Sequence, residues 1–344
     1  MTVSAEIDMA NLATGLRSVV VMALLVMWLP DASAVSQRAF VASNGNDANA
    51  PLNCNLANPC RSFGTAIGTV NPGGEVIVLD SAGYGPVTVS QAVTIVAPPG
   101  VYAGVTVFAG PGIAVNAPAA KVTLRGLTIN ALGGTTGVQL QAASTLYLDG
   151  IIVSGFSGVG GAGLNATVGA DSAVVIHDST FRENLVGATF SATAGTLTVS
   201  VERTQFERNS TGATFGDGVI GTVRESSFTI GGAGMAAVPV TAGRTAKVEL
   251  RDSTVADNTG VGVQAGTVAG ATATVSVVSS LLSGNGTGVL GQASGNTAFV
   301  SDATITRNVT GISAASSGAV VSFQDNRLMA NTTNGAFSST TAKQ

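Results

Sequence analysis

Charged side chains are scarce in this chain of 344 residues: Asp, Glu, Lys and Arg together account for only 10% of it, whereas an average globular domain has about 25%. The 15 Lys and Arg residues form no basic cluster, and the formal net charge is −4. A nucleic-acid partner is therefore not expected, because phosphate binding depends on clustered cations. Hydrophobic residues make up 45% of the chain, which excludes an intrinsically disordered protein.

Histidine occurs once, as His177, and the motifs that define several classes of protein are missing. The sequence has no Walker loop, no Cys-x-x-Cys pair, no Gly-x-Ser-x-Gly elbow and no EF-hand loop. Nucleotide hydrolysis, dithiol redox chemistry, α/β-hydrolase chemistry and EF-hand calcium binding therefore have no support in the sequence.

Long apolar runs are also missing, apart from one near the start. Arg17 precedes the run Val19–Leu29, Pro30 follows it, and Ala32-Ser33-Ala34 offers a cleavage site between small residues. The run is shorter than the roughly 20 residues that a membrane span needs. The pattern predicts a signal peptide over residues 1–34 and no span after its cleavage, with an uncleaved anchor as the alternative. We therefore expect an exported protein, located outside the cell, at its surface or in the periplasm.

Cysteine occurs only twice, as Cys54 and Cys60 in the turn-rich segment NCNLANPC. In an oxidising compartment, a disulfide between two such neighbouring cysteines is the expected outcome. With no histidine nearby, a metal site at these thiols is not expected. Just after them, Phe63, Ala66, Ile67 and Val70 follow helical spacing and predict a short helix.

Glycine, by contrast, is abundant, with 45 residues, and the chain repeats itself with a period of about 25 residues. Three clear units are HDSTFRENLVGATF (177–190), ERTQFERNSTGATF (202–215) and RDSTVADNTGVGVQ (251–264). Each unit holds short β-type runs separated by turn residues, and no helical apolar stripe persists. This pattern predicts an all-β solenoid with three short strands in each coil.

Two columns recur in every unit and have a structural meaning. One is apolar and is expected to stack inside the solenoid, since alternate strand residues point inward; its members are Phe181, Phe206, Phe228, Val255, Leu282, Ile305 and Leu328. Three residues later comes a column of asparagines, interrupted by Gly231, which we expect to form a hydrogen-bonded ladder in a bend between strands: Asn184, Asn209, Asn258, Asn285, Asn308 and Asn331.

The Asn-x-x-Gly turns, the apolar stack and the coil length resemble the right-handed parallel β-helix of the pectin lyase-like superfamily, in its secreted bacterial form. The segment GGEVIVLDSAGYGPVTVSQAVTIVAPPG (73–100) is similar to the opening coils of such proteins. The resemblance implies about ten coils over residues 75–337. It also implies an N-terminal cap over residues 35–74, holding the disulfide and the short helix, and a flexible tail over residues 338–344.

The pair His177–Asp178 is the first candidate for chemistry. His177 occupies a column that holds Glu, Arg, Val, Ser or Gln in the other units. Consecutive residues of a strand point to opposite faces, so the two side chains are not expected to share a pocket. We therefore interpret His177 as a surface residue, and Asp178 as one member of an acidic column.

The better candidates in that column are Glu225 and Asp252, which fall in neighbouring coils, together with Arg251 and Lys247. Paired carboxylates can serve a retaining glycosidase, and carboxylates beside Arg or Lys can serve a calcium-assisted lyase. The non-catalytic interpretation is an exposed face on which the arginines partly offset the charge of the carboxylates. The Gly-His-Gly and Arg-Ile-Lys motifs of polygalacturonase-like members do not occur here.

These observations favour an exported, non-enzymatic scaffold that contacts glycans or the cell envelope and needs no cofactor. The alternative is a divergent polysaccharide lyase or glycoside hydrolase that acts on acidic polysaccharide through Glu225, Asp252, Arg251 and Lys247. Ca²⁺ is expected only under the lyase alternative. Sequence alone does not decide between them, because the β-helix fold supports many unrelated functions.

Overall fold

A computed structural model describes residues 36–342, which form a parallel β-helix of about ten turns. The chain passes in each turn through three sheets, named A, B and C, and every strand pair is parallel. The all-β solenoid with three strands in each coil is thereby confirmed. The predicted signal peptide, residues 1–34, lies outside the described residues. Among the residues described, no helix has the length and hydrophobicity to cross a membrane.

Each sheet adds its strands in chain order, one coil after another. Sheet A contains Ser36–Val41, Val70–Val78, Val93–Val96, Lys121–Arg125, Thr145–Asp149, Ser172–His177, Leu197–Glu202, Val219–Arg224, Thr245–Arg251, Thr272–Val278, Thr297–Ser301, Ala319–Ser322 and Ser339–Thr340. Sheet B contains Ala82–Gly83, Ala103–Val107, Leu127–Ala131, Ile152–Ser154, Thr180–Arg182, Gln205–Glu207, Ser227–Thr229, Thr254–Ala256, Leu281–Ser283, Thr304–Thr306 and Arg327–Met329. Sheet C contains Val87–Val89, Pro111–Asn116, Thr136–Ala142, Ala162–Val168, Val186–Ala192, Thr211–Phe215, Ala233–Ala237, Val261–Ala265, Thr287–Gln292 and Thr310–Ala315.

The start of the solenoid carries the short helix and the disulfide that the sequence predicted. A 3₁₀ helix spans Asp47–Leu52 and an α-helix, α1, spans Phe63–Ile67. The Ser62 side chain caps α1 by accepting a hydrogen bond from the Thr65 backbone N–H. Cys54 and Cys60 are bonded to each other, with their Cα atoms 5.0 Å apart, and both are fully buried. At the other end, Ser339–Thr340, within the predicted tail, pairs with Ala319–Ser322.

The predicted apolar column lies inside the solenoid. Phe181, Phe206 and Phe228 are at most 1% exposed, and their rings stack along the coils with centroids 5.3 and 4.6 Å apart. A second stack, Phe190 on Phe215 at 5.1 Å, lines the interior from sheet C. Parallel register between consecutive coils repeats each inward position at the strand spacing of about 4.8 Å, so identical side chains meet face to face.

The predicted asparagine ladder is present at the bend between sheets B and C. In Asn285, for example, the amide nitrogen donates to the Val255 carbonyl (3.0 Å) and to the Asn308 Oδ1 atom (3.0 Å). Its own Oδ1 accepts from the backbone N–H (3.2 Å) and the Nδ2 (2.9 Å) of Asn258. Buried polar groups have to be satisfied internally, and the ladder does this for one bend after another.

A second ladder, at the bend from sheet A to sheet B, was not predicted. Its hydroxyls donate to the carbonyl two residues earlier, and several of them accept a backbone N–H from the coil before. The column consists of Ser179, Thr204, Ser226, Ser253 and Ser280. The residue just before each of these has a left-handed backbone, with φ between 46° and 49°. This bend determines where the candidate functional side chains lie.

Candidate functional site

The outer face of sheet A carries most of the residues singled out in the sequence. Along Thr245–Arg251 the buried residues alternate with Lys247, Glu249 and Arg251, which therefore point outward. Arg251 is directly opposite Arg224 in the preceding coil. Sequence reasoning grouped Lys247 and Arg251 with Glu249, whose carboxylate lies 2.8 Å from the Arg251 Nε atom.

Glu225 and Asp252 lie at equivalent positions in neighbouring bends, immediately after their sheet A strands. Both are exposed, and both have the left-handed backbone, with φ of 49°. Beside them, the Glu249 carboxylate, with a smaller contribution from Asp252, raises the pKa of the Arg251 guanidinium above its ordinary value. The structure thus places Arg251, Glu225 and Asp252 at the end of the sheet A strands, whereas Lys247 lies on the same outer face four residues before Arg251. The two carboxylates lie on bends rather than in a recess.

The prediction that the side chains of His177 and Asp178 lie apart is wrong. The His177 Nδ1 atom lies 2.8 Å from the Asp178 carboxylate. The reason is the bend, because Asp178 has φ of 48° and the alternation of an extended strand stops there. Asp149 in the preceding coil lies 3.7 Å from the same nitrogen, and Glu202 in the next coil lies 3.9 Å from Nε2.

His177 belongs to a row of ionic side chains that crosses consecutive coils of sheet A in register: Arg125, Asp149, His177, Glu202, Arg224 and Arg251. Arg125 Nε is 2.7 Å from the Asp149 carboxylate, and Arg224 is 3.6 Å from Glu202. We call this set the ionic row. Along the row the carboxylates of Asp149 and Glu202 alternate with nitrogen-bearing side chains, Arg or His, until Arg224 and Arg251 follow one another.

Arg203, in the bend beside the ionic row, contacts the His177 ring and places its Nε atom 2.8 Å from the Asp178 carboxylate. The hydrogen bond from Arg203 holds the pKa of the Asp178 carboxyl below its ordinary value, and His177 adds to the effect. In turn, Asp178 raises the pKa of the Arg203 guanidinium. The Arg203 guanidinium, the His177 imidazole and the Asp178 carboxylate therefore contact one another on the surface of this bend.

One group of side chains in the described residues has the composition of a cation site. Single ligand atoms of Asp149, His177 and Asp178 lie within 4.8 Å of one another. This donor set does not fit Ca²⁺, which takes six to eight oxygen ligands, because one of its three donors is an imidazole nitrogen. The Arg203 guanidinium also lies against both His177 and Asp178. We therefore derive no metal-dependent step from it.

A shallow recess with a volume of about 390 Å³ lies on the same face, towards the later coils. We call it the phenylalanine recess, and its principal lining residues are Glu249, Ser276, Val278, Phe299, Ser301 and Phe323. None of the four predicted catalytic residues lines it. Sequence reasoning missed it because most phenylalanines were assigned to the interior. The alternation in Thr297–Ser301 was the available signal, since Ala298 and Val300 are the buried residues there.

Comparison with known proteins gives no sequence match: no family profile and no curated protein matches the chain. Among solved structures, pectate lyase Pel9A is similar over 89% of this chain and 80% of its own, with 14% identity and a TM-score of 0.48. The A-module of Azotobacter vinelandii mannuronan C-5 epimerase AlgE4 is similar over 79% of this chain and 91% of its own, with 12% identity and a TM-score of 0.47.

Proposed function

We propose that this protein is an exported β-helix that binds acidic polysaccharide on the outer face of sheet A without catalysing its conversion. The observation that carries the proposal is the direct pairing of Arg224 with Arg251 across neighbouring coils. Like charges directly opposite one another in a sheet are destabilising. A carboxylate of a bound sugar chain would remove that repulsion and add charge-assisted hydrogen bonds.

The two arginine side chains are about half exposed, at 49% for Arg224 and 44% for Arg251, so their guanidinium groups are accessible to an anionic ligand. Each has one nearby acidic partner on the sheet face, Glu202 at 3.6 Å for Arg224 and Glu249 at 2.8 Å for Arg251. Lys247 adds a third exposed cation to the same face. Coils repeat at about 4.8 Å, a length similar to the advance of one sugar unit in a linear polysaccharide. A chain lying along the coils can therefore meet equivalent positions repeatedly.

The placement of the acids favours binding over catalysis. A glycosidase needs two carboxylates that flank the scissile bond, and Glu225 and Asp252 lie on exposed bends. The disulfide Cys54–Cys60 is compatible with an oxidising compartment, in agreement with export. On these grounds we place the protein among surface or matrix components that contact glycans.

The test is binding of soluble polygalacturonate and alginate by affinity electrophoresis, with neutral dextran as the reference polymer. We expect retardation in the two acidic gels that weakens with added salt. The double variant Arg224→Ala/Arg251→Ala should lose at least tenfold in affinity. Arg208→Ala is the matched control, since Arg208 is an exposed arginine paired with Glu183 and Glu207 in a different bend. Equal retardation of both variants, or none of the parent protein, would refute the proposal.

The same polymers also test the enzymatic alternative, which is favoured by the position of Arg251, Asp252 and Glu225 at the end of the sheet A strands, with Lys247 on the same outer face. Release of unsaturated or reducing sugars is measured over an extended incubation. Product release that disappears in Asp252→Ala would replace the binding proposal with a lyase or hydrolase. Binding without product supports the scaffold.

A further inference from the structure

The phenylalanine recess differs chemically from the rest of the outer face of sheet A. Glu249, Ser276 and Phe299 are consecutive neighbours in one register row, and Val278 and Ser301 are neighbours in the next. The recess thus begins in the coil that holds Arg251 and continues into the three coils after it, the last of which contributes Phe323. Carboxylate, hydroxyl and aromatic groups converge there within a few coils.

The two aromatic rings of the recess are oriented differently from those of the core. Phe299 and Phe323 are half-buried, with centroids 6.3 Å apart and planes inclined by 44°. In the interior stack, by contrast, Phe206 and Phe228 are nearly parallel, with an angle of 1°, and are excluded from solvent. Inclined rings on an outer face present apolar surface to solvent without filling it by mutual stacking.

We propose that the phenylalanine recess is a subsite for one pyranose unit. This inference rests on the function proposed above. The carbon-bound hydrogens of a sugar ring carry a slight positive charge and fit against the negative faces of Phe299 and Phe323. The Ser276 hydroxyl and the Glu249 carboxylate provide hydrogen-bonding groups for the sugar hydroxyls. The volume of about 390 Å³ lies at the small end of the usual range for ligand pockets, about 300–1,000 Å³.

Glu249 connects this subsite to the paired arginines. Its carboxylate lines the recess and also holds the Arg251 guanidinium at 2.8 Å. A sugar seated on the two rings therefore has its neighbour in the polymer directed along the coils towards Arg251 and Arg224. The recess recognises the ring itself, while the arginines recognise the carboxylate of an adjacent unit.

Saturation-transfer difference NMR tests the subsite, with the probes being the methyl glycosides of glucose, galactose, mannose and galacturonic acid. We expect at least one probe to show transfer mainly to the ring hydrogens of one face. Phe299→Ala and Phe323→Ala should reduce that transfer at least fivefold. Phe108→Ala is the matched control, because Phe108 is 66% exposed and lies outside the recess. Ser276→Ala, which leaves both rings in place, should also weaken transfer.

The outcomes separate this inference from the proposed function. Retention of acidic polysaccharide combined with no transfer to any glycoside would overturn the subsite alone. Transfer that depends on Phe299, without any preference for acidic polymers, would overturn the acidic-ligand proposal and leave the subsite standing. Equal loss in Phe299→Ala and Phe108→Ala, at unchanged circular dichroism, would also overturn the subsite.

Discussion

Replacing Asn285 by alanine tests the ladder that holds the bends between sheets B and C. The side chain is 1% exposed and takes part in four hydrogen bonds. After the change, the backbone N–H of Asn258 loses its acceptor inside the protein. Other partners keep a second bond: Asn308 Oδ1 still accepts from the backbone N–H of residue 285, and the Asn258 amide still donates to the Phe228 carbonyl.

The expected magnitude follows from that inventory. A buried donor left unsatisfied costs roughly 1–3 kcal/mol, and each further lost hydrogen bond costs about 1 kcal/mol when its partner keeps another. With one orphaned N–H and three other bonds removed, Asn285→Ala should lower the free energy of unfolding by about 4–6 kcal/mol. A surface asparagine should behave differently. Asn165→Ala removes a half-exposed side chain that accepts only from Thr167, and should change stability by about 0.5 kcal/mol or less.

The assay is urea unfolding followed by circular dichroism, with the midpoint shift converted at an unchanged denaturant slope. The parent protein, Asn285→Ala and the control Asn165→Ala are compared at the same protein concentration. If Asn285→Ala loses no more stability than Asn165→Ala, the ladder does not stabilise the solenoid and the reasoning from buried hydrogen bonds is refuted.

The remaining predictions use the same equilibrium measurements. Gly231→Asn, which restores the ladder in sequence, should destabilise the protein, because a Cβ at 231 would overlap the Asn209 carbonyl oxygen; a higher urea midpoint would contradict this. Phe206→Ala should cost about 3–5 kcal/mol, because it opens a cavity between two stacked rings; a loss below about 1 kcal/mol would show that the stack can collapse. The hydrogen bond from the Ser43 hydroxyl lowers the pKa of the Asp80 carboxyl, and the hydrogen bond from the Tyr84 hydroxyl lowers it further. Its stabilisation is therefore present above about pH 4 and lost as pH falls through the lowered pKa. Burial and Asp80 raise the pKa of Tyr84, so its stabilisation is present below about pH 10 and is lost at higher pH. Melting temperatures from pH 2 to 12 should fall at both ends, and Asp80→Asn should flatten the acidic fall; an unaltered profile would refute the assignment.

Much of the fold could be predicted because the repeat imposes the same physical requirement in each coil. Phe206 and Phe228 stack and Asn285 hydrogen-bonds as their columns indicate, since an inward position in one coil stays inward in the next. Gly231 shows the limit of this reasoning. It interrupts the asparagine column, and only the structure shows that the neighbouring backbone lies close enough to exclude a side chain.

The candidate site was predicted less completely. Arg251 and Lys247 do share the outer face of sheet A, but the partner of Arg251 is Glu249, two residues away on the same strand. His177 and Asp178 were expected to be apart, yet their side chains lie within 2.8 Å because the bend begins at Asp178. Strand alternation alone does not reveal where a strand ends.

By itself, the sequence determined the all-β class, the coil length, the interior stack and the asparagine ladder, because each depends on local spacing repeated many times. Only the tertiary structure decided which outward side chains become neighbours. The ionic row and the phenylalanine recess join residues about 25 positions apart, and the register between coils of unequal length sets their contacts. Inward positions are specified by burial in every coil, whereas outward positions acquire a function only once the coils are stacked.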